Sequence, residues 1–374
     1  MMMFRTPVFI QAGLGKNAQP LEELLTRWDS YGKTLEEVTS GELRKIIVFL
    51  PDSNQLLDLE RFVHLEVNLF PDSLLGRLRL VNQLSKRIKR LGKRSVTIVA
   101  GDIYVSPILA RGVKFICNGS IRVQVQFHGA TYVKSNLGVG SYLRYYLMRQ
   151  AIFLSDSIRI VSTFQKNEIQ RLAGRGKKDF VLSPIPISLT KIPNMRIPHS
   201  GLAILVLGRL HSERGIVKLV ELIDLLAYEK VQCTINIVGD GPQAELLVPY
   251  IQNLHGLTKV LLHGLKSESE VGTYLAQSDI LISFAEQEGY GLALREAVLS
   301  GVHVIAKRNR GTEEALKAFP GRIDLIESAP DALKLIKSFK PREVDEDALF
   351  ELRAIQEHVN TKFVEDLVKS WIEI

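Results

Sequence analysis

Three carboxylates, Glu286, Glu288 and Glu296, bracket the turn Gly289-Tyr290-Gly291 in the stretch SFAEQEGYGLALREAVLSG over residues 283–301. The preceding DILISF reads as a buried strand, and Leu292 opens a helical pattern. Amides exposed at such a turn, where a helix begins, attract an anion. Ionised carboxylates only accept hydrogen bonds, so their natural partners are hydroxyl donors rather than phosphates. A sugar-bearing nucleotide suits both groups, with amides on phosphate and Glu288 and Glu296 on sugar hydroxyls. For Glu286 the plainer reading is a surface or capping acid.

Two further stretches sit where strands should end. GRLHSERG over 208–215 follows AILVL and carries Gly208, Arg209 and Arg214. Two guanidiniums five residues apart can converge on a diphosphate, for which Arg offers bidentate geometry. The alternative is a pair of surface arginines. VGDGP over 238–242 supplies Gly239 and Gly241. Small residues there let a ligand approach the backbone, and a helix N-terminus expected next favours negative charge. An ordinary turn explains the same four residues. In the first half, His128 follows the strand VQVQF and would project into a cleft facing the second domain, where it could bond a donor phosphate or a sugar hydroxyl. A structural histidine is the alternative.

The elements that must hold these residues alternate between strand and helix. Strands are expected at 7–12, 45–50, 95–100, 123–127, 159–162 and 180–182, with helical stretches such as 21–28, 74–90 and 141–153 between them. Short apolar runs separated by helix-length connections imply parallel sheets covered on both faces. The pattern restarts with strands at 203–207, 234–238, 259–262, 280–284 and 302–306, and Gly301 is a plausible helix C-cap. Prolines at 184, 186, 193 and 198 mark a linker and hinge. The expected organisation is an N-terminal Rossmann-like domain at 1–183, the linker at 184–200, a second Rossmann-like domain at 201–346 and a helical tail at 347–374. Two doubly wound α/β units result, with ligand room beyond the carboxyl ends of their strands.

Composition sets the outer limits. At 374 residues, 46% hydrophobic and 24% charged, the chain is that of an ordinary globular protein with more than one core. Residues 1–187 hold 27 Lys and Arg against 15 Asp and Glu, and residues 188–374 hold 21 against 26. The basic half could attract an anionic lipid surface, a phosphorylated substrate or nucleic acid, or be a solvated face. No nucleic-acid-reading motif accompanies the charge, so no nucleic-acid partner is expected. Cys117 and Cys233 have no metal-ligand spacing and read as reduced thiols of a cytosolic protein. No apolar run approaches the ~20 residues of a bilayer span, and the N-terminus lacks a signal-peptide pattern. The acidic triplet at 345–347 reads as a solvated loop rather than a metal site.

The second half resembles the retaining GT-B glycosyltransferases, specifically the glycosyltransferase family 4 group. LGRLHSERGI (207–216), IVGDGPQ (237–243), EGYGLALREA (288–297), SGVHVIA (300–306) and RGTEEA (310–315) carry the likeness, and the two glutamates with seven residues between them are its most specific part. The first half matches more loosely, mainly through FHG at 127–129. The resemblance implies that Arg209 and Arg214 hold the donor diphosphate, although the second position is usually lysine. It implies that Glu288 contacts the transferred sugar, Glu296 the ribose, and backbone across Gly289, Tyr290, Gly291 and Leu292 the sugar and phosphates. His128 would meet the donor from the other domain, and the loop containing Gly13 and Gly15 would lie near the acceptor. Glu314 matches a family glutamate, with Arg310-Gly311 replacing the usual glycine pair.

The expected fold is therefore GT-B, α/β with two Rossmann-like domains facing a central cleft and a C-terminal helix returning to the first. The expected activity transfers a sugar, with retention, from a nucleotide-diphosphate donor (a UDP-sugar foremost) to a saccharide or lipid-linked acceptor in cell-envelope polysaccharide or glycolipid synthesis. No metal or other cofactor is expected, and the location would be cytoplasmic, with peripheral attachment to the inner face of the cell membrane. Rival readings are a nucleotide-sugar epimerase or phosphorylase of this architecture and a noncatalytic glycan- or lipid-binding scaffold. A dinucleotide oxidoreductase fits less well, because Asp52 lies 39 positions beyond Gly13 where about 20 are expected.

Overall fold

The computed structural model describes residues 4–12, 21–52, 58–90, 95–117, 121–128, 139–173, 178–189, 192–193, 195–253, 257–340 and 345–373. The chain divides into one unit of Met1–Pro184 with Thr361–Ile374 and a second of Ile185–Asn360.

The first unit runs β1 (Thr6–Ile10), α1 (Leu21–Val38), β2 (Ile46–Pro51), β3 (Leu65–Phe70), α2 (Leu74–Arg90), β4 (Val96–Ala100), α3 (Ser106–Cys117), β5 (Ile121–Gln126), α4 (Val139–Leu154), β6 (Ser157–Ile160), α5 (Thr163–Ala173) and β7 (Asp179–Leu182). Its strands form one parallel sheet in the order β3-β2-β1-β4-β5-β6-β7. β1, β2 and β4 are buried along their whole lengths, which is why they read as continuous apolar runs.

The second unit follows with β8 (Leu202–Leu207), α6 (Ile216–Tyr228), β9 (Cys233–Val238), α7 (Val248–Asn253), β10 (Thr258–Gly264), α8 (Glu268–Ala276), β11 (Ile280–Ser283), α9 (Leu292–Leu299), β12 (His303–Lys307), α10 (Arg310–Ala318), β13 (Ile323–Ile326), α11 (Ala329–Ser338) and the start of α12 (Glu346–Ile372). Its parallel sheet has the order β10-β9-β8-β11-β12-β13. The strand order reverses between β8 and β11, which pair directly. In open parallel sheets a crevice opens at this point, beyond the carboxyl ends of the strands.

Several expectations shift. β3 and β13 were absent from the expected strands: both lie at sheet edges and mix polar with apolar residues (LEVNLF and IDLI), so neither forms an apolar run. The C-terminal helix starts at Glu346 and belongs to the first unit from Thr361 onward, in keeping with its expected return there. The proline-rich stretch, from Ile185, is part of the second unit. Ile187 and Ile192 are buried, Asn360 bonds both the amide and the carbonyl of Ile187, and Ile197 donates to Ala276. Proline prevents regular structure there, but the backbone polar groups still find partners in packed neighbours.

The end of α12 is built into the first core. Trp371 is fully buried and meets Phe9 edge-on at 4.9 Å. Its indole donates to Gln124 Oε1 at 2.8 Å, and Thr97 Oγ1 donates to its carbonyl at 2.5 Å. At the helix start, the Asp345 carboxylate accepts from the Ala348 amide. The first acid of the triplet is therefore an N-terminal cap.

Candidate active site

β8 ends at Leu207, and the next residue, Gly208, has a φ of 139° with open space where a side chain would stand. Arg209 follows, largely exposed and 3.5 Å from Glu213. The chain then makes a 3₁₀ turn, Ser212–Arg214, closed by Gly215. At Gly215 the φ of 68° and the nearby Phe284 carbonyl, 2.2 Å from the position of a Cβ, exclude any other residue. That close approach seats the β8 loop on the β11 loop and carries Arg214 to Glu288, with which it forms a direct ion pair.

Glu288 is only 11% exposed and Arg214 29%. Burial pushes the Glu288 carboxyl above its ordinary range, while Arg214 and, more weakly, Arg209 pull it back down. The pair thus stands at the carboxyl end of the two central strands, beside exposed Arg209 and open Gly208. Arg214 can meet phosphate through its outer nitrogens while it orients the carboxylate, a geometry suited to a ligand with anionic and hydroxyl parts.

The turn after Glu288 leads into α9, whose N-cap, Gly291, has a φ of 72°. Leu292 is the first helical residue and Gly289 is half-buried. Tyr290 is buried under Arg295, whose guanidinium lies 4.0 Å above the ring and whose Nε donates to the Tyr290 carbonyl at 3.0 Å. Burial raises the Tyr290 pKa and lowers that of Arg295. The tyrosine ring therefore belongs to the support of the turn. Glu296 lies half-buried on α9, and exposed Glu286 pairs with Lys307.

Gly239 and Gly241 have a packing role that the sequence did not indicate. A Cβ on Gly239 would stand 1.9 Å from the Gly208 carbonyl, and one on Gly241 2.4 Å from that of Leu210. Leu210 N donates to the Asp240 carbonyl. These glycines press the β9 loop against the β8 loop, so their smallness serves backbone packing. The element after the turn is a 3₁₀ helix, Ala244–Leu247, and not the expected α-helix N-terminus.

In the first unit, His128 follows β5 at an accessible position. Desolvation by the surrounding protein, with the Arg159 and Arg27 cations, holds its pKa well below 6.5. It is neutral at physiological pH and can both donate and accept. Gly13 and Gly15 lie outside the described residues. Two residues that matter to the site were not singled out from the sequence. They are Arg295, which clamps Tyr290, and Asn309, whose Nδ2 bonds the Ala285 carbonyl at 3.1 Å and whose Oδ1 caps α10. The Arg-aromatic pairing with Tyr290 was the one available signal for Arg295.

Two Rossmann-like units, with a C-terminal helix that ends in the first, define the GT-B fold. Residues 190–335 match the family Glycosyl transferases group 1. Over nearly its whole length the chain is similar in fold to a lipopolysaccharide outer core galactosyltransferase, WaaB in its apo form, with a TM-score of 0.68, 16% identity and 98% of each chain covered. A structure of HepE from Anabaena in complex with UDP-glucose gives a TM-score of 0.67 at 16% identity, covering 98% of this chain and 99% of that one. Among curated proteins, N-acetyl-alpha-D-glucosaminyl L-malate synthase of Bacillus anthracis is 34% identical over 88 residues, 24% of this chain and 23% of that protein. The 2-deoxystreptamine N-acetyl-D-glucosaminyltransferase of Niallia circulans is 28% identical over 140 residues, 36% of each chain. These matches span less than half the length of either curated relative.

Proposed function

We propose that the protein is a retaining glycosyltransferase of the family 4 group that takes its sugar from a nucleotide diphosphate, with a UDP-sugar the first choice. The observation that carries this reading is the Arg214–Glu288 pair at the switch point of the second sheet, flanked by Arg209 and open Gly208. Breaking the anomeric carbon–oxygen bond leaves negative charge on the diphosphate and positive charge on the sugar. Arg209 and Arg214 stabilise the first, most strongly as the bond lengthens. Glu288 accepts from the sugar hydroxyls and positions the ring, and Glu296 takes the ribose hydroxyls. The proton of the acceptor hydroxyl passes to the departing donor phosphate on the same face, which accounts for retention without a protein nucleophile. Neutral His128 contributes a hydrogen bond to the donor. The acceptor is a saccharide or a lipid-linked saccharide, in polysaccharide or glycolipid synthesis on the cytoplasmic side.

The test is calorimetric titration with UDP-, GDP- and ADP-sugars and with NAD, on the wild type and on Arg209→Ala and Glu296→Gln. One nucleotide-sugar should bind, and each substitution should weaken it by at least tenfold, the loss of one charge-assisted hydrogen bond. Tight NAD binding with no response to any nucleotide-sugar refutes the transferase reading. Donor binding with no nucleotide released over saccharide and lipid acceptors favours the scaffold.

A further inference from the structure

Helices α2, α3 and α4 cover one side of the first sheet. α2 packs on α3, where a Cβ on Gly112 would touch Val81 at 3.6 Å, and α4 packs on α3 in turn. Over their 17, 12 and 16 residues they hold ten Lys and Arg and no Asp or Glu. At the chain's average of 41 acids in 374 residues, about five would be expected. Among the described residues, neighbouring elements neutralise three of these cations, through the pairs Arg77–Asp72, Arg87–Glu66 and Lys114–Asp156. The other seven make no ion pair among the described residues.

The outward stripes of the same helices are apolar as well as basic. On α2, exposed Leu75 and Leu78 lead into exposed Lys86 and Lys89. On α3, Ile108, Arg111 and Phe115 fall at positions i, i+3 and i+7, and Phe115 is 86% exposed. On α4, Tyr142, Tyr146, Arg149 and Phe153 follow the same helical spacing, with Phe153 71% exposed. Large apolar side chains held out to water beside uncompensated cations are unusual on a free surface. No helix among the described residues is long and apolar enough to cross a bilayer.

We propose that the α2–α3–α4 face docks the protein on an anionic lipid surface, with Leu, Phe and Tyr side chains entering the headgroup region and Lys and Arg meeting the lipid phosphates. Charge complementarity selects this occupant. A second copy seated face to face would set seven uncompensated cations against seven. A nucleic acid would pair with the cations but leave the aliphatic side chains in water. The inference stands apart from the donor-site reading, because lipid binding needs no nucleotide.

The experiment is co-sedimentation of the full chain, without donor, with vesicles of phosphatidylcholine alone or with about one third phosphatidylglycerol. Wild type should bind only the anionic vesicles, and 1 M salt should release it as the screening length falls to ~3 Å. Lys86→Gln with Lys89→Gln should weaken binding about fivefold per cation removed, the fold-change matching ~1 kcal/mol per surface cation. Phe115→Ser with Phe153→Ser should weaken it at least tenfold at low salt. Lys259→Glu with Lys317→Glu, in the second unit, should leave it unchanged. Wild type that ignores anionic vesicles overturns the proposal, as does binding that neither double variant on this face reduces. So do Phe115- and Phe153-dependent dimers in light scattering, or tighter binding to single-stranded RNA, in place of vesicle binding. Melting temperatures report folding of the variants, and the wild-type comparison decides even if one unfolds.

Discussion

Removing one partner of the Arg214–Glu288 pair should have unequal consequences for stability depending on which partner goes. In Arg214→Met, Glu288 keeps its 11% exposure but loses its cation. Breaking a fully buried pair this way costs about 3–5 kcal/mol. Arg214 is 29% exposed, and this lowers the expectation to about 2–3 kcal/mol at pH 7.5. For a unit of this size each kcal/mol moves the melting point by ~2–4 °C, so the loss is about 4–12 °C. In Glu288→Gln the group removed is one that the fold already disfavours in its charged form, since burial outweighs Arg214 in raising its pKa. Arg214 is left able to hydrate, and the change should stay within about 1 kcal/mol.

The pH dependence has its origin in the same shift. A carboxyl whose folded pKa exceeds the unfolded value holds its proton longer in the folded state. Stability therefore falls as pH rises through that window and returns as pH falls towards 4.5. The Arg214→Met defect should shrink at pH 5, where Glu288 takes up a proton, while Glu288→Gln lacks this titration and should compare less favourably with wild type at pH 5 than at pH 7.5. Differential scanning calorimetry at pH 5.0 and 7.5 measures both, and a nucleotide-release assay should show both variants inactive. Equal destabilisation by the two substitutions at both pH values would refute the assignment of Glu288 as a desolvated carboxylate held by Arg214.

Gly239→Ala should destabilise the second unit by about 2 kcal/mol or more through backbone strain and displacement of the β8 loop, with donor affinity falling in parallel in thermal-shift and titration assays. Arg295→Met should raise the KM for donor more than it lowers stability, because the turn around Tyr290 loses its clamp; an unchanged KM would make Arg295 purely structural. Trp371→Ala should remove about 3–5 kcal/mol from the first unit, read as loss of a melting transition with nucleotide-sugar binding by the second unit retained.

Much of the site was legible because its chemistry lies in one stretch. Glu288, Gly289, Gly291 and Glu296 are close in sequence, and the strand and helix on either side have strong apolar patterns. The sheets were legible for a similar reason: strands buried along nearly all their length, such as β1, β4 and β11, are apolar at all but one position each. Edge strands β3 and β13 face water on one side, and that periodicity is diluted.

Residue types and order were enough to determine two α/β units and strand ends rich in arginine, glycine and glutamate, the basis of the proposed phosphate and hydroxyl recognition. Tertiary structure alone decided which of those residues meet. Arg214 reaches Glu288 across 74 positions of chain because Gly215 lets two loops touch. Gly239 and Gly241 serve the neighbouring backbone, and Tyr290 turns inward beneath Arg295. The proline-rich stretch, which composition marks as a linker, is packed as part of the second unit. Each outcome depends on close approach between segments distant in sequence, and local propensity carries no record of that distance.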